Sequence, residues 1–232
     1  MANSTNFLFA ITTVLTLVLF YFAVKDAALD HAKTTARNVF FGMSAWLILQ
    51  AALALADVYN TDTQTVPPKL ALFGVLPTLF LFLGLFFTEK GRVFIDALSL
   101  QRLTFLNIVR IPVEIVLYGL FLQKTVPELM TFAGRNFDIL AGLTAPMMTY
   151  FVFVKPKLSK KTLLIWNVLA LGLLLNIVVN AVLSAPTPLQ QFGFEQPNTA
   201  ILNFPISWLP TFVVPVVLFG HLVSIRRLMT ES

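Results

Sequence analysis

The sequence predicts an all-α, polytopic membrane protein with seven transmembrane helices, and three observations carry that expectation. The 232 residues are 57% apolar and only 12% charged, against about 45–50% and about 25% in an ordinary soluble domain. The apolar residues gather into runs long enough to cross a hydrocarbon layer roughly 30 Å thick, for which about 20 helical residues suffice. The basic residues are shared unequally between alternate loops. The same composition excludes disorder and disulfide scaffolds, and the lack of cysteine removes thiolate metal sites, iron–sulfur clusters and thiol catalysis.

In chain order the expected spans are 7–24, 38–57, 70–87, 103–123, 136–154, 162–184 and 201–223. Short polar connections join them, so residues 1–232 read as one seven-helix domain. The first run follows Met1-Ala-Asn-Ser-Thr-Asn6, which lacks the positive charge of a secretory n-region; it is read as an uncleaved first helix. Twelve of the sixteen basic residues fall in loops 25–37, 88–102 and 155–161 and in the tail, whereas Lys69, Lys124 and Arg135 lie on the opposite side. Lys and Arg accumulate in cytoplasmic loops. The N-terminus is therefore expected outside and the C-terminus in the cytoplasm, with the chain integral to the plasma (inner) membrane. The net charge of +5 then belongs to loops facing anionic lipid, and no nucleic-acid partner is expected.

Spans three and seven both contain Leu-Pro-Thr, at Leu76-Pro77-Thr78 and Leu209-Pro210-Thr211, and spans two and six carry Trp46 and Trp166. This pattern suggests a parallel 3+1+3 repeat, a layout that resembles SWEET-type sugar carriers. The Pro-Gln dipeptide of that family is absent, so the resemblance is architectural.

Span four is the chemical outlier. Asn107, Arg110, Glu114 and Tyr118 fall within an arc of about 80° on a helix of 3.6 residues per turn. A charged residue inside a span costs about 2.5–3.5 kcal/mol and marks a functional candidate by default. Pro112 sits between the two charges, frees the Ile108 carbonyl and favours a kink. Either Arg110 and Glu114 pair with each other and lock helices, or Glu114 takes a proton or a ligand. Gln50, Asn176 and Asn180 are candidate polar partners. Arg135 and Asp138, three residues apart, gate an outward cavity, or Asn136 and Asp138 merely cap span five. The 185–203 segment is an exposed loop anchored by Phe192 and Phe194, or a lid. Pro205, Pro210 and Pro215 should break span seven, with Trp208 on a cavity wall or in an aromatic belt. His31 and His221 map to the cytoplasmic boundary without a carboxylate–His motif, so no metal and no cofactor are expected.

The Pro112-Val-Glu114 piece resembles the Pro-x-Glu of membrane carotenoid cyclases, a resemblance that implies a buried acid protonating a polyene. Those proteins usually carry the motif twice, with an additional acid, and this chain does not. Retinal linkage is excluded because 201–223 contains no lysine. Three functions follow: a small-solute, proton-coupled permease with a mid-membrane Arg110/Glu114 site; a membrane enzyme acting on an isoprenoid or lipid with Glu114 as general acid; and a non-catalytic assembly or sensor subunit. The expected partners are the bilayer and a small-molecule or lipid ligand, with homo-oligomerisation left open.

Overall fold

The computed structural model describes residues 2–230; Met1 of the amino-terminal segment lies outside them. The described chain is helical, with no strand among those residues. In order it forms α1 (Ala2–Lys25), α2 (Ala32–Leu55), a π-helical turn Ala71–Val75 leading into α3 (Leu76–Phe87), α4 (Glu89–Ala97) and α5 (Leu100–Leu106). A 3₁₀ turn, Asn107–Val109, then leads into α6 (Arg110–Leu122). After a second 3₁₀ turn come α7 (Ile139–Thr149) with its π-helical extension Tyr150–Val154, α8 (Lys160–Ser184), the π-helical turn Leu209–Val213 and α9 (Val214–Thr230).

Five helical stretches are long and apolar enough to cross a membrane: Ser4–Lys25, Ala32–Leu55, Leu100–Leu122, Lys160–Ser184 and Leu209–Thr230. A sixth is reached if Ala71–Phe87 and Glu89–Ala97 count together, although they meet at 93°. The expected count of seven is not reached, because Ile139–Val154 is shorter than a full crossing. The architecture is all-helical with five or six candidate spans by length and composition, compatible with an integral membrane protein.

Two boundaries differ from the sequence reading for local reasons. Residues 88–102, expected as a loop, contain α4: the Thr88 side chain accepts the Gly91 N–H at 3.1 Å and starts a helix immediately after α3. The last span begins later than 201. A 3₁₀ turn occupies Ala200–Leu202, and Pro205 and Pro210 delay the regular helix to Val214. The fourth span runs as expected, and its irregular turn at Asn107–Val109 lies just before Pro112.

The helix ends sort into two groups. At one end Asp26 pairs with Arg102 at 2.7 Å and Asp96 with Arg226 at 2.9 Å. At the other, Gln123 donates to Thr5 at 2.9 Å and Thr199 N–H donates to the Thr125 carbonyl at 3.0 Å. The basic loops of the sequence belong to the first group. Between the ends, α1, α6 and the final helix share a core built on Phe9, Val113, Leu117, Phe212 and Phe219.

Prolines place the polar ties across this core. Pro77 cannot donate to the Phe73 carbonyl, and Gln50 Nε2 fills the vacancy at 3.1 Å. Pro215 likewise leaves the Thr211 carbonyl to Trp46 Nε1 at 2.9 Å. Gly74 lies at this crossing, where a Cβ would approach Thr211 Cγ2 to 2.4 Å. The two Leu-Pro-Thr copies are not placed alike: Pro77 follows its π-helical turn and Pro210 lies within its own. Nor do the two tryptophans correspond, since Trp166 donates to the Thr144 hydroxyl at 2.9 Å.

Candidate functional site

The polar stripe of the fourth span is buried as a unit. Asn107, Arg110 and Glu114 are each at most 2% exposed, whereas Tyr118 is half-buried and stacks on Phe132 with ring centroids 4.9 Å apart. At a rise of about 1.5 Å per residue, Glu114 lies about 12 Å and Arg110 about 18 Å from the Leu122 end of α6.

Arg110 does not pair with Glu114. Its guanidinium grips Asp138 from two nitrogens, with Nε to Oδ2 at 2.6 Å. It also donates to Asn107 Oδ1 at 3.3 Å, to the Ala170 carbonyl at 2.9 Å and to His221 Nε2 at 3.1 Å. Arginine only donates, so His221 Nε2 accepts, and Nδ1 carries the hydrogen given to Asn167 Oδ1 at 2.9 Å. Gly142 makes this meeting possible: a Cβ there would come within 2.9 Å of Ile111 Cγ1, so α7 can lie directly against α6.

Asp138 therefore does not gate an outer cavity with Arg135. The chain between Glu128 and Asp138 descends into the bundle, and α7 is short because it starts at that depth. Asn136 holds the descending segment: its amide donates to Glu114 Oε1 and to the Met130 carbonyl at 3.0 Å, and its Oδ1 accepts the Asp138 N–H at 3.0 Å. Non-helical backbone at such depth is tolerated where protein groups satisfy it. Arg135 is exposed, and its carbonyl accepts from Asn176 at 2.9 Å.

Glu114 is left with one committed oxygen. Its Oε2 is buried without a hydrogen bond. The residue lines a cavity of about 370 Å³ between the Ala71–Val75 turn and α3, α6, α8 and the final helix. Asp138 also borders it. The other polar lining residues, Tyr59, Thr63, Lys69 and Thr187, come from the connecting loops. The rest of the wall is almost wholly aliphatic: Val113, Leu117, Leu174, Ile177, Leu209 and Val214 are representative. None of the polar partners expected from the sequence, Gln50, Asn176 or Asn180, lines it.

The other expected site residues are dispersed. Gln50 accepts from the Tyr59 hydroxyl, and burial pushes that phenol up to about 12. Asn176 is exposed and Asn180 donates to it at 3.3 Å. Trp208 does not line the cavity; its indole N–H ties the chain to the Leu47 carbonyl at 2.9 Å. His221, expected at the boundary, is fully buried because the last helix continues to Thr230. The 185–203 segment acts as a cover: Thr187, Leu189, Ile201 and Leu202 border the cavity, while Phe194 points outward at 71% exposure. Sequence reasoning missed His221, Asn136 and Asn167 as members of the buried network. The i,i+4 register of Asn167 with Leu163 gives no sign of it, but the short Asn136-x-Asp138 spacing does, since an Asn two residues before an Asp is a turn signal. Among the described residues no cluster of His, Asp and Glu is arranged to hold a metal ion.

A family model described as a domain of unknown function, DUF8737, matches residues 67–229, most of the chain and every wall of the cavity except Tyr59 and Thr63; the chain belongs to that family. No curated protein and no solved structure matches it.

Proposed function

We propose that this member of the DUF8737 family is an integral membrane protein that takes a lipid- or isoprenoid-class molecule into the cavity beside α6, with Glu114 as the proton donor or acceptor facing it. The basic end faces the cytoplasm in this reading, and the membrane is the plasma membrane. The observation that carries the proposal is a buried carboxyl oxygen without a partner on an aliphatic wall. A hydrophilic solute entering such a wall would lose water hydrogen bonds without replacement, at roughly 2–7 kcal/mol per polar group. An apolar guest loses none. That favours lipid or isoprenoid chemistry over small-solute transport.

Arg110 and Asp138 have a separate task. Their charges meet within one bidentate pair, so they hold α6, α7 and the descending segment together and leave the Glu114 carboxyl without a counter-charge of its own. The arrangement divides a structural pair from a chemical group only one helical turn away.

The test is mass spectrometry of the apolar molecules held by protein purified in mild detergent, with lipid and isoprenoid profiles of cells carrying the wild type, Glu114→Gln or no protein. The expected result is one enriched apolar molecule on the wild type, lost in the cavity-filling Leu117→Trp. The altered cellular profile should be shared by Glu114→Gln and the null. Unchanged profiles with nothing retained would overturn the proposal. Proton-coupled uptake of a hydrophilic solute that Glu114→Gln abolishes would replace it with transport.

A further inference from the structure

Resting on the reading above, we infer that the cavity is loaded sideways from the bilayer, between α3 and α8, by an amphiphile whose polar head stays at the loop end. The loop end is covered. Gln64 Nε2 donates to the Pro186 carbonyl at 3.4 Å and Asn60 Nδ2 to Asn203 Oδ1 at 2.9 Å, joining the two loops that meet there. Asn198 N–H donates to the Ser184 carbonyl at 2.8 Å and pins the cover to the end of α8. Toward the basic end Pro215 and Leu218 are the last wall residues of the final helix, and Phe82 and Phe219, with ring centroids 5.0 Å apart, line a separate space beyond them.

One side differs. Leu79 of α3 and Leu175 and Val182 of α8 line the cavity and yet are 37%, 47% and 45% exposed, a cluster of three where the loop cover has the single residue Leu189 at 48%. Lining residues that also reach the outer surface mark a mouth. The surface around it is apolar, with Phe80 and Val179 exposed on either side. Neither 70–87 nor 162–184 contains a charged residue. A mouth in such a band opens toward hydrocarbon and not toward water, and an acyl or isoprenyl tail crosses it without stripping water from any charge. Tyr59, Thr63, Lys69 and Thr187 gather at the loop end of the same space. They line that end with hydroxyls and with the Lys69 ammonium, which pairs with Asp62 at 3.2 Å, while Tyr59 donates to Gln50 and Glu114 waits deeper, along the tail.

The experiment uses full-length protein in phosphatidylcholine vesicles containing phosphatidylglycerol with a diazirine on its acyl chain, photolysed and mapped by peptide mass spectrometry. Wild-type protein should be labelled at 113–117 as well as on α8. Leu79→Trp combined with Leu175→Trp narrows the mouth and should reduce labelling of 113–117 by about tenfold, the effect of somewhat more than 1 kcal/mol of added bulk. Gln64→Trp, which adds bulk where the two loops meet without touching the lining, should leave it unchanged. Leu175→Ala, which widens the mouth, should raise the initial rate and keeps the test alive if the double tryptophan variant does not fold. Wild-type labelling rates in both mouth variants, or loss in Gln64→Trp alone, would overturn the side entry. A wild type labelled on α8 but never at 113–117 would instead sink the cavity reading itself.

Discussion

Replacing Asp138 with Ala should be among the most damaging single changes in this protein. Arg110 makes five hydrogen bonds in the bundle, two of them to Asp138, and is 2% exposed. Removing the acid leaves a guanidinium that is 2% exposed without its bidentate partner. Breaking a buried pair from one side costs about 3–5 kcal/mol, which in a chain of this length lowers the unfolding midpoint by roughly 6–20 °C. The assay is thermal unfolding in one detergent, followed by tryptophan fluorescence. Adding Arg110→Met should recover much of the loss, because replacing both charges with apolar groups is often neutral or stabilising. A midpoint for Asp138→Ala within about 2 °C of wild type would show that the pair is not holding the helices together. So would a double variant as unstable as the two single losses added, since residues in contact should couple by about 0.5–3 kcal/mol.

Other expectations follow from the same contacts. Glu114→Gln keeps the oxygen that accepts from Asn136 and exchanges one unpartnered polar atom for another, so its cost should stay well below the about 3–5 kcal/mol expected of Asp138→Ala; a loss like that of Asp138→Ala would make Glu114 a packing residue. Gly74→Ala drives a methyl group into Thr211 Cγ2 and should cost about 1–3 kcal/mol. Thr211→Ser removes the opposing methyl, keeps the hydroxyl and should restore most of it in a denaturation series. Tyr59 is held neutral by burial, so the folded state keeps its proton more tightly than the unfolded chain does. Its contribution is complete below pH about 10 and is lost as pH rises toward about 12. A pH series should show that alkaline decline flattened in Tyr59→Phe.

The sequence exposed the helical class, the two unequal loop sets and the buried stripe through Asn107, Arg110 and Glu114, because each is written in local order. A stripe at helical spacing needs no tertiary information. The partners of that stripe were not legible. Asp138 reads as a helix cap next to Arg135, and only the descent of residues 128–138 into the bundle carries it to Arg110. His221 was displaced for another reason. Hydrophobicity places the last span at 201–223, but Pro205 and Pro210 shift the regular helix toward Thr230, so a boundary histidine becomes a central one. Helix α4 was hidden because Glu89-Lys90-Gly91-Arg92 looks like a polar loop, although Thr88 signalled a cap. The apolar character of the cavity was also invisible: its aliphatic walls come from four separate helical stretches, and none differs in sequence from a lipid-facing surface.

The Glu114 carboxyl faces apolar space that a guest can enter, and an apolar carboxyl reagent reads this directly. N,N′-dicyclohexylcarbodiimide enters hydrocarbon and forms a stable adduct with a carboxyl group there. Peptide mass spectrometry of the treated protein should find the adduct at Glu114, with Asp138 spared by Arg110. Leu117→Trp, by filling the cavity, should suppress it. An unmodified Glu114 beside modified surface acids, or an adduct indifferent to Leu117→Trp, would contradict the account.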